Sequence, residues 1–362
     1  MKILPLKLTN NGYNIYLGQG SLKLFHSLCL KAKLPKRKFY IIDSNVYQRY
    51  KTYFETSLFE TKRECIHIIP SGEKSKSFNQ IEEIHKVMLA NKFGRDTLVV
   101  AIGGGVTGDA SGFAASIFMR GVPVVHLPTT LLAAVDSSVG GKTGINFSGT
   151  KNIIGTFYQP KFVLIDSTFF QTLPDAEITC GMGEIIKYAF LSGKSFYDNV
   201  KKLSQSFYNK DFRKTEKIIA SSIQIKTEVV ANDEKESGLR KILNFGHTFA
   251  HAFESELNFR IKHGEAVTAG IICALYLSHR KGFLSDQLLH QLLELPLTVR
   301  LPRAIKKPSK ENLYQVMLSD KKNRDGKIKF VLLKNLGEIL LDVEAEKEEV
   351  FFAFDKMFTH IQ

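Results

Sequence analysis

Three histidines and one glutamate carry the side chains best suited to holding a metal. The stretch Leu243–His251, LNFGHTFAH, sets His247 and His251 four positions apart, so a helix there brings both imidazoles to one face. Spacing alone pairs these two, as in zinc sites of the H-E-x-x-H kind. The segment reads H-T-F-A-H, however, and lacks the glutamate that serves as general base in that motif. His263 follows shortly after, and Glu184 opens an apolar segment, GMGEIIKYAF, with Lys187 one turn on. A catalytic zinc usually takes three ligands from histidines and carboxylates and keeps one open position. These residues are the pool for such a site; the alternative is that the helical histidines pack or cap.

A second cluster is AIGGGVTGDASGFAA, where Gly103, Gly105 and Gly108 form G-x-G-x-x-G between a strand-like and a helix-like run. Glycines there let backbone amides approach a pyrophosphate, and a helix N-terminus favours its charge. In an ordinary dinucleotide unit an acid about 20 residues downstream meets the ribose. The next strand, VPVVHLP, offers His126 and no carboxylate. The acid that ends a strand lies upstream, Asp43 in IIDSN, so a dinucleotide would require the glycine strand to be an inner one. Downstream, PTTLLAAVDSSVGGKTGIN is dense in hydroxyls and glycines. It reads either as a loop between elements or as a polar floor, with Thr129 and Thr130 toward a nucleotide and Asp136 and Lys142 toward a substrate. Lys151 and Asn152 follow in TKNIIG.

These residues need a frame. KFYIID (38–43), ECIHIIP (64–70), DTLVVAIGGG, VPVVHLP and FVLID (162–166) read as short buried strands, and FNQIEEIHKVMLANKF (78–93) as an amphipathic helix. Such alternation predicts an α/β domain with a mostly parallel, Rossmann-like sheet. After TLPDAE the pattern turns mainly helical, with a strand pair near KIKFVLL and GEILLDV. The expected division is an α/β domain over 1–173 and a mainly helical one over 174–362. Domains joined so directly often hold a ligand in the crevice between them.

The composition, 44% hydrophobic and 24% charged, is that of a globular protein, and no window approaches the ~18 apolar residues of a membrane span. The N-terminal run is broken by Pro5 and Lys7 and has no small-residue cleavage site, so a cytoplasmic location is the expectation. Cys29, Cys65, Cys180 and Cys273 are scattered, which predicts free, mostly buried thiols. The net charge of +14 is spread along the chain and not gathered into an aromatic-laced stripe, which argues against nucleic-acid binding.

Taken together, GGGVTGDASGFAA, RGVPVVHLPTTLLAAVDSSVGGKTGIN, KNIIGTFYQP, TLPDAEITCGMGEIIKYA and GLRKILNFGHTFAHAFE…HGEAV strongly resemble the 3-dehydroquinate synthases, a family of sugar-phosphate cyclases. The resemblance runs from IIDSN to DKKNRDGKIKFVLL. It implies an NAD-binding α/β domain followed by a helical metal and substrate domain, with the active site between them. One zinc or cobalt ion would be held by Glu184, His247 and His263, which leaves His251 to the substrate. NAD positions match Asp43, Asn45, Glu73, Lys76, Gly104, Gly105, Val106, Asp109, Thr129, Thr130, Lys142, Lys151, Phe169 and Thr172. Substrate positions match Asp136, Lys142, Asn152, Lys187, Lys226, Arg240, Asn244 and His251, with Lys321 or Lys322. Arg120 resembles an arginine that reaches a phosphate site across a homodimer interface. The chain departs from the family pattern at Ser71, where an acid is common, at Phe118, where tyrosine is usual, and at Gly183, where alanine is frequent.

The resemblance also implies a reaction. 3-Deoxy-D-arabino-heptulosonate 7-phosphate would become 3-dehydroquinate and phosphate, the second step of the shikimate pathway. Transient oxidation by NAD acidifies a neighbouring proton, phosphate is eliminated, and re-reduction, ring opening and an aldol closure follow. Aminodehydroquinate or 2-deoxy-scyllo-inosose synthase activity, or that of a metal-dependent polyol dehydrogenase, are the alternatives.

Overall fold

The computed structural model describes residues 1–60, 65–236, 238–258, 260–319 and 327–361. In chain order the strands of the first half are β1 (Lys2–Leu6), β2 (Tyr13–Gly18), β3 (Arg37–Asp43), β4 (Cys65–Ile69), β5 (Thr97–Gly103), β6 (Val124–Pro128), β7 (Lys142–Phe147), β8 (Thr150–Phe157) and β9 (Phe162–Asp166). Seven of them form one sheet in the order β1-β2-β9-β6-β5-β3-β4, parallel throughout except for the β1–β2 edge pair. Helices α1 (Phe25–Lys31), α2 (Ser44–Ser57), α3 (Phe78–Ala90) and α4 (Gly105–Ile117) connect them. Every residue of β5 is buried, so its sequence runs apolar without alternation, as a strand covered on both faces must.

The parallel register decides what gathers at one edge of the sheet. Ile42 pairs with Ile102 and Gly103 with Pro128, so β3, β5 and β6 end level with one another. Asp43, the Gly104–Gly105 turn and Thr129–Thr130 therefore emerge at the same carboxyl edge, where open α/β sheets bind ligands. The glycine strand is an inner one, between β3 and β6. The hydroxyl-rich stretch downstream is ordered, with a π-helical turn over Ala133–Ser137 and then β7, which pairs with β8 as a separate hairpin. The β1–β2 pair escaped the sequence pattern because Pro5 and a polar turn interrupt its apolar alternation.

The second half contains α5 (Asp175–Ser192), α6 (Lys194–Tyr208), α7 (Phe212–Asn232), α8 (His247–Glu256), α9 (His263–Arg280), α10 (Asp286–Leu293) and α11 (Lys310–Ser319), then the antiparallel pair β10 (Lys329–Asn335) and β11 (Glu338–Glu344), and α12 (Lys347–Thr359). Nearly the whole of α9 is buried, and it packs against α5, α8, α12 and β10. The chain forms two compact units, Met1–Leu173 with Lys226–Lys235, and Pro174–Ile225 with Glu236–Gln362. The division expected at 173/174 thus needs a correction. Lys226–Lys235 belong to the first unit, because Lys226 pairs with Asp136 and Glu234 accepts from Gln159.

All four cysteines are free. Burial pushes the thiols of Cys29 and Cys180 up to about 12, which leaves them inert at neutral pH. Among the described residues, no helix is long and apolar enough to cross a membrane.

Candidate metal centre and nucleotide edge

The metal candidates come from three helices whose positions are set by close backbone contact. Gly264, the second residue of α9, lies against the backbone of α5, and a Cβ built there would sit 1.9 Å from the Cys180 carbonyl oxygen. At Gly183 a Cβ would sit 2.3 Å from the Gly264 oxygen. Only a glycine crossing permits this approach, and it sets Glu184 and His263, the residues beside those glycines, face to face. His247 starts α8 directly after Gly246, whose φ of 78° turns the chain into the helix.

Glu184, His247 and His263 form a group whose ligand atoms all lie within 4.8 Å of one another. His263 Nε2 is 3.3 Å and His247 Nε2 3.5 Å from Glu184 Oε1. Glu184 is completely buried and forms an ion pair with Lys187 through Oε2. Neither of its oxygens receives a hydrogen bond of good geometry from the described residues. A fully buried carboxylate in that state is costly. The donor set and the unsatisfied oxygens fit a divalent cation. His247 Nδ1 lies 3.2 Å from the Phe245 carbonyl oxygen, so a proton there donates to Phe245 and leaves Nε2 as the lone-pair donor. The ring of His251 lies 5.6 Å from that of His247, nearly perpendicular, and His251 is not part of the group. The pairing suggested by spacing alone is therefore corrected: one turn separates His247 from a histidine outside the ligand set.

Burial by itself would lower the pKa of His263, but its pairs with Glu184 and Glu254 outweigh it and raise the value to about 10. The metal-free ring is thus protonated at neutral pH, whereas a ligand must be deprotonated. Zinc uptake near pH 7 is expected to release about one proton from this ring, and apparent affinity to rise about tenfold per pH unit below 10. Zinc titration in weak buffer with an indicator dye checks this; uptake without proton release would show a neutral His263.

At the sheet edge, Asp43 caps α2. Its Oδ1 accepts from the Asn45 and Val46 amides at 2.9 and 3.2 Å and from Ser71 Oγ at 2.6 Å. Gly104, Gly105 and Val106 begin α4, where first-turn amides have no partner within the helix. Thr129 Oγ1 and Ser138 Oγ are buried without a hydrogen-bond partner among the described residues, and Ser138 lines a cavity with Gly103, Gly104, Gly108 and His126. Burial pushes His126 down to about 4, so it is neutral there. Bare amides and unsatisfied hydroxyls suit a pyrophosphate and its ribose. Thr130 Oγ1 instead accepts from the Ala133 amide. Phe169 is buried against Tyr50, whose hydroxyl meets Thr172 Oγ1 at 2.8 Å.

Lys76 Nζ binds Asp109 Oδ2 at 2.6 Å and also Asn152 Oδ1. Burial raises the pKa of Asp109, and Lys76 opposes that shift. Asn152, at φ 52°, donates its amide to Asn146 Oδ1, and Asn146 Nδ2 donates to Glu73 Oε1, so the β7–β8 hairpin is tied to Glu73 and Lys76. Lys142 is exposed at the start of β7, and Lys151 lies in β8. Asp136 accepts from Lys226 Nζ through its carbonyl at 2.8 Å and Oδ1 at 2.6 Å. Lys187 and Arg240 are buried, and Asn244 donates to Glu236 Oε1. Arg120 is exposed. Lys321 and Lys322 lie outside the described residues. Glu254, Glu236 and Asn146 were missed from sequence; for Glu254 the signal is its place seven residues after His247, on the same helix face.

An inner-strand glycine turn in the first unit and a Glu–His–His centre in the second define a nucleotide- and metal-using enzyme of the cyclase and dehydrogenase type. The structure of 2-epi-5-epi-valiolone synthase from Streptomyces hygroscopicus, with NAD+ and Zn2+ bound, matches at a TM-score of 0.85 and 25% identity, over 97% of this chain and 98% of that one. A 2-deoxy-scyllo-inosose synthase complexed with carbaglucose-6-phosphate, NAD+ and Co2+ shares the fold, with a TM-score of 0.84 and 24% identity over 98% and 100% of the two chains. Residues 66–180 match the N-terminal and 181–323 the C-terminal family model of 3-dehydroquinate synthase. The 3-dehydroquinate synthase of Leptospira interrogans is 43% identical over 328 residues, 90% of each chain. The chain belongs to the 3-dehydroquinate synthase family.

Proposed function

We propose that the chain performs its family's reaction, converting 3-deoxy-D-arabino-heptulosonate 7-phosphate to 3-dehydroquinate and phosphate. The observation that carries this reading furthest is the Glu184–His247–His263 group, with Lys187 against the fully buried Glu184 and His251 beside but outside the group. A zinc or cobalt ion held by those three residues supplies Lewis acidity to the substrate's hydroxyl and keto oxygens. NAD, at the Asp43, Gly104–Val106 and Thr129 edge, supplies reversible hydride acceptance.

The chain's own residues do the binding and positioning. Arg240 suits a bidentate carboxylate, a feature that favours this substrate over the carboxylate-free ones of related cyclases. Asn152, His251, Lys142 and Arg120 take the phosphate, and Lys76 holds the Asn152 amide in place. Asn244 and Lys187 orient hydroxyls, and Lys226 holds Asp136 in place. In the family the departing phosphate assists proton removal, so these residues work mainly by placement and field.

The test is incubation with the heptulosonate phosphate, NAD and zinc. Phosphate and dehydroquinate should form in equal amounts with no net NADH absorbance. A polyol dehydrogenase would accumulate NADH, and no turnover would sink the reading. His251→Ala should keep its zinc and lose about a hundredfold or more in kcat. Loss of zinc in that variant would overturn the assignment of His251 to the substrate.

The enzyme acts as a homodimer in this reading. Ile117, Met119 and Phe157 are each more than 40% exposed, and the contact of Thr156 with Ser116 brings β8 beside the end of α4. Within that apolar face Met119 and Arg120 take left-handed φ values of 49° and 67°, a strained turn of the kind kept where a side chain must be presented. A monomer in sedimentation at micromolar concentration would exclude this arrangement. The free cysteines favour a reducing, cytoplasmic setting, which cell fractionation checks.

A further inference from the structure

We propose that Glu254 is a positioning residue of the metal centre: it holds the proton of His263 on Nδ1 and so points Nε2 toward the ion. The proposal rests on Glu184, His247 and His263 being the ligands. Each of the two histidines faces Glu184 Oε1 with Nε2. Each also has an acceptor at its other nitrogen. For His247 the acceptor is the Phe245 carbonyl, 3.2 Å from Nδ1. For His263 it is Glu254 Oε1, 3.5 Å from Nδ1. Glu254 is only 4% exposed, and a carboxylate that deep in a helical core is retained only where a charged or donating partner compensates it.

The two devices differ. His247 begins its helix, and its acceptor is the carbonyl two residues back. His263 also begins a helix, but its acceptor comes from another element, α8, two turns beyond His247. Helix α8 thus presents a ligand, a histidine outside the ligand set and the orienting carboxylate at positions 247, 251 and 254 of one face. Ligand histidines commonly give their second N–H to such a partner, which fixes the tautomer and strengthens the donor.

The test compares Glu254→Met, which keeps volume and removes the acceptor, with Glu254→Gln, which keeps a neutral acceptor. Zinc affinity of the stripped proteins is read by competition with a chromogenic chelator, without substrate. The methionine variant should bind zinc about 10- to 100-fold more weakly, and the glutamine variant should recover most of that loss. Methionine at wild-type affinity, or glutamine as weak as methionine, overturns the proposal. Should the methionine variant not fold, nitrogen NMR of the unaltered zinc protein decides, with the His263 proton on Nδ1 expected and one on Nε2 overturning it. An unaltered chain that takes up no zinc would instead remove the reading of the ligands themselves.

Discussion

His263→Ala is expected to abolish zinc binding and turnover together. His263 is flanked by two carboxylates, Glu184 at 3.3 Å and Glu254 at 3.5 Å. Its removal leaves two ligands and sets two acids across an unfilled space. A Lewis-acid contribution of about 4 kcal/mol corresponds to about a thousandfold in kcat, so activity should fall by at least that order. Metal content after dialysis against zinc, with the melting curve of the metal-free form, separates loss of a ligand from loss of fold. A variant that retains zinc at wild-type affinity would show that the third ligand lies elsewhere. The contrast with His251→Ala makes the result specific, since both imidazoles lie near His247 and only one belongs to the ligand group.

Gly264→Ala is expected to be the most damaging substitution of a single hydrogen by a methyl group. The new Cβ would stand 1.9 Å from the Cys180 oxygen and 2.5 Å from its carbon, far inside contact distance. Both atoms are backbone, so no side chain can rotate away and α5 and α9 must separate. Overpacking of this kind costs about 1–3 kcal/mol, and the shortness of the contact places this case at the upper end. The helices that separate are the ones carrying Glu184 and His263, so zinc affinity should fall along with the urea midpoint. A variant with unchanged midpoint and affinity would show that the crossing does not position the ligands. Gly183→Ala strains the same crossing from the other side, at 2.3 Å from the Gly264 oxygen.

Much of the architecture was legible because it is written in local pattern. Uniformly apolar β5 announced a strand covered on both faces, and Asp43 ending a strand upstream of the glycine turn required that strand to be internal. The β7–β8 hairpin was not legible, since its residues are small and hydroxylated and its order comes from distant partners. Asn146 and Asn152 are held by Glu73 and Lys76, more than seventy positions earlier in the chain. The end of α7 gave no sign that it belongs with the first unit, because a helix repeat is indifferent to whether Lys226 finds Asp136.

The metal centre divides the same way. From the sequence alone came the pool of ligands, the family resemblance that chose Glu184, His247 and His263 from it, and the helix that places His247 and His251 together. Residue type and helical period are properties of neighbours, and they suffice for that much. Only the tertiary structure decided that Glu254 stands behind His263 and that the glycines of the α5–α9 crossing bring Glu184 and His263 together. Those outcomes depend on how closely separate helices approach, and that distance is set by backbone contacts between residues some eighty positions apart.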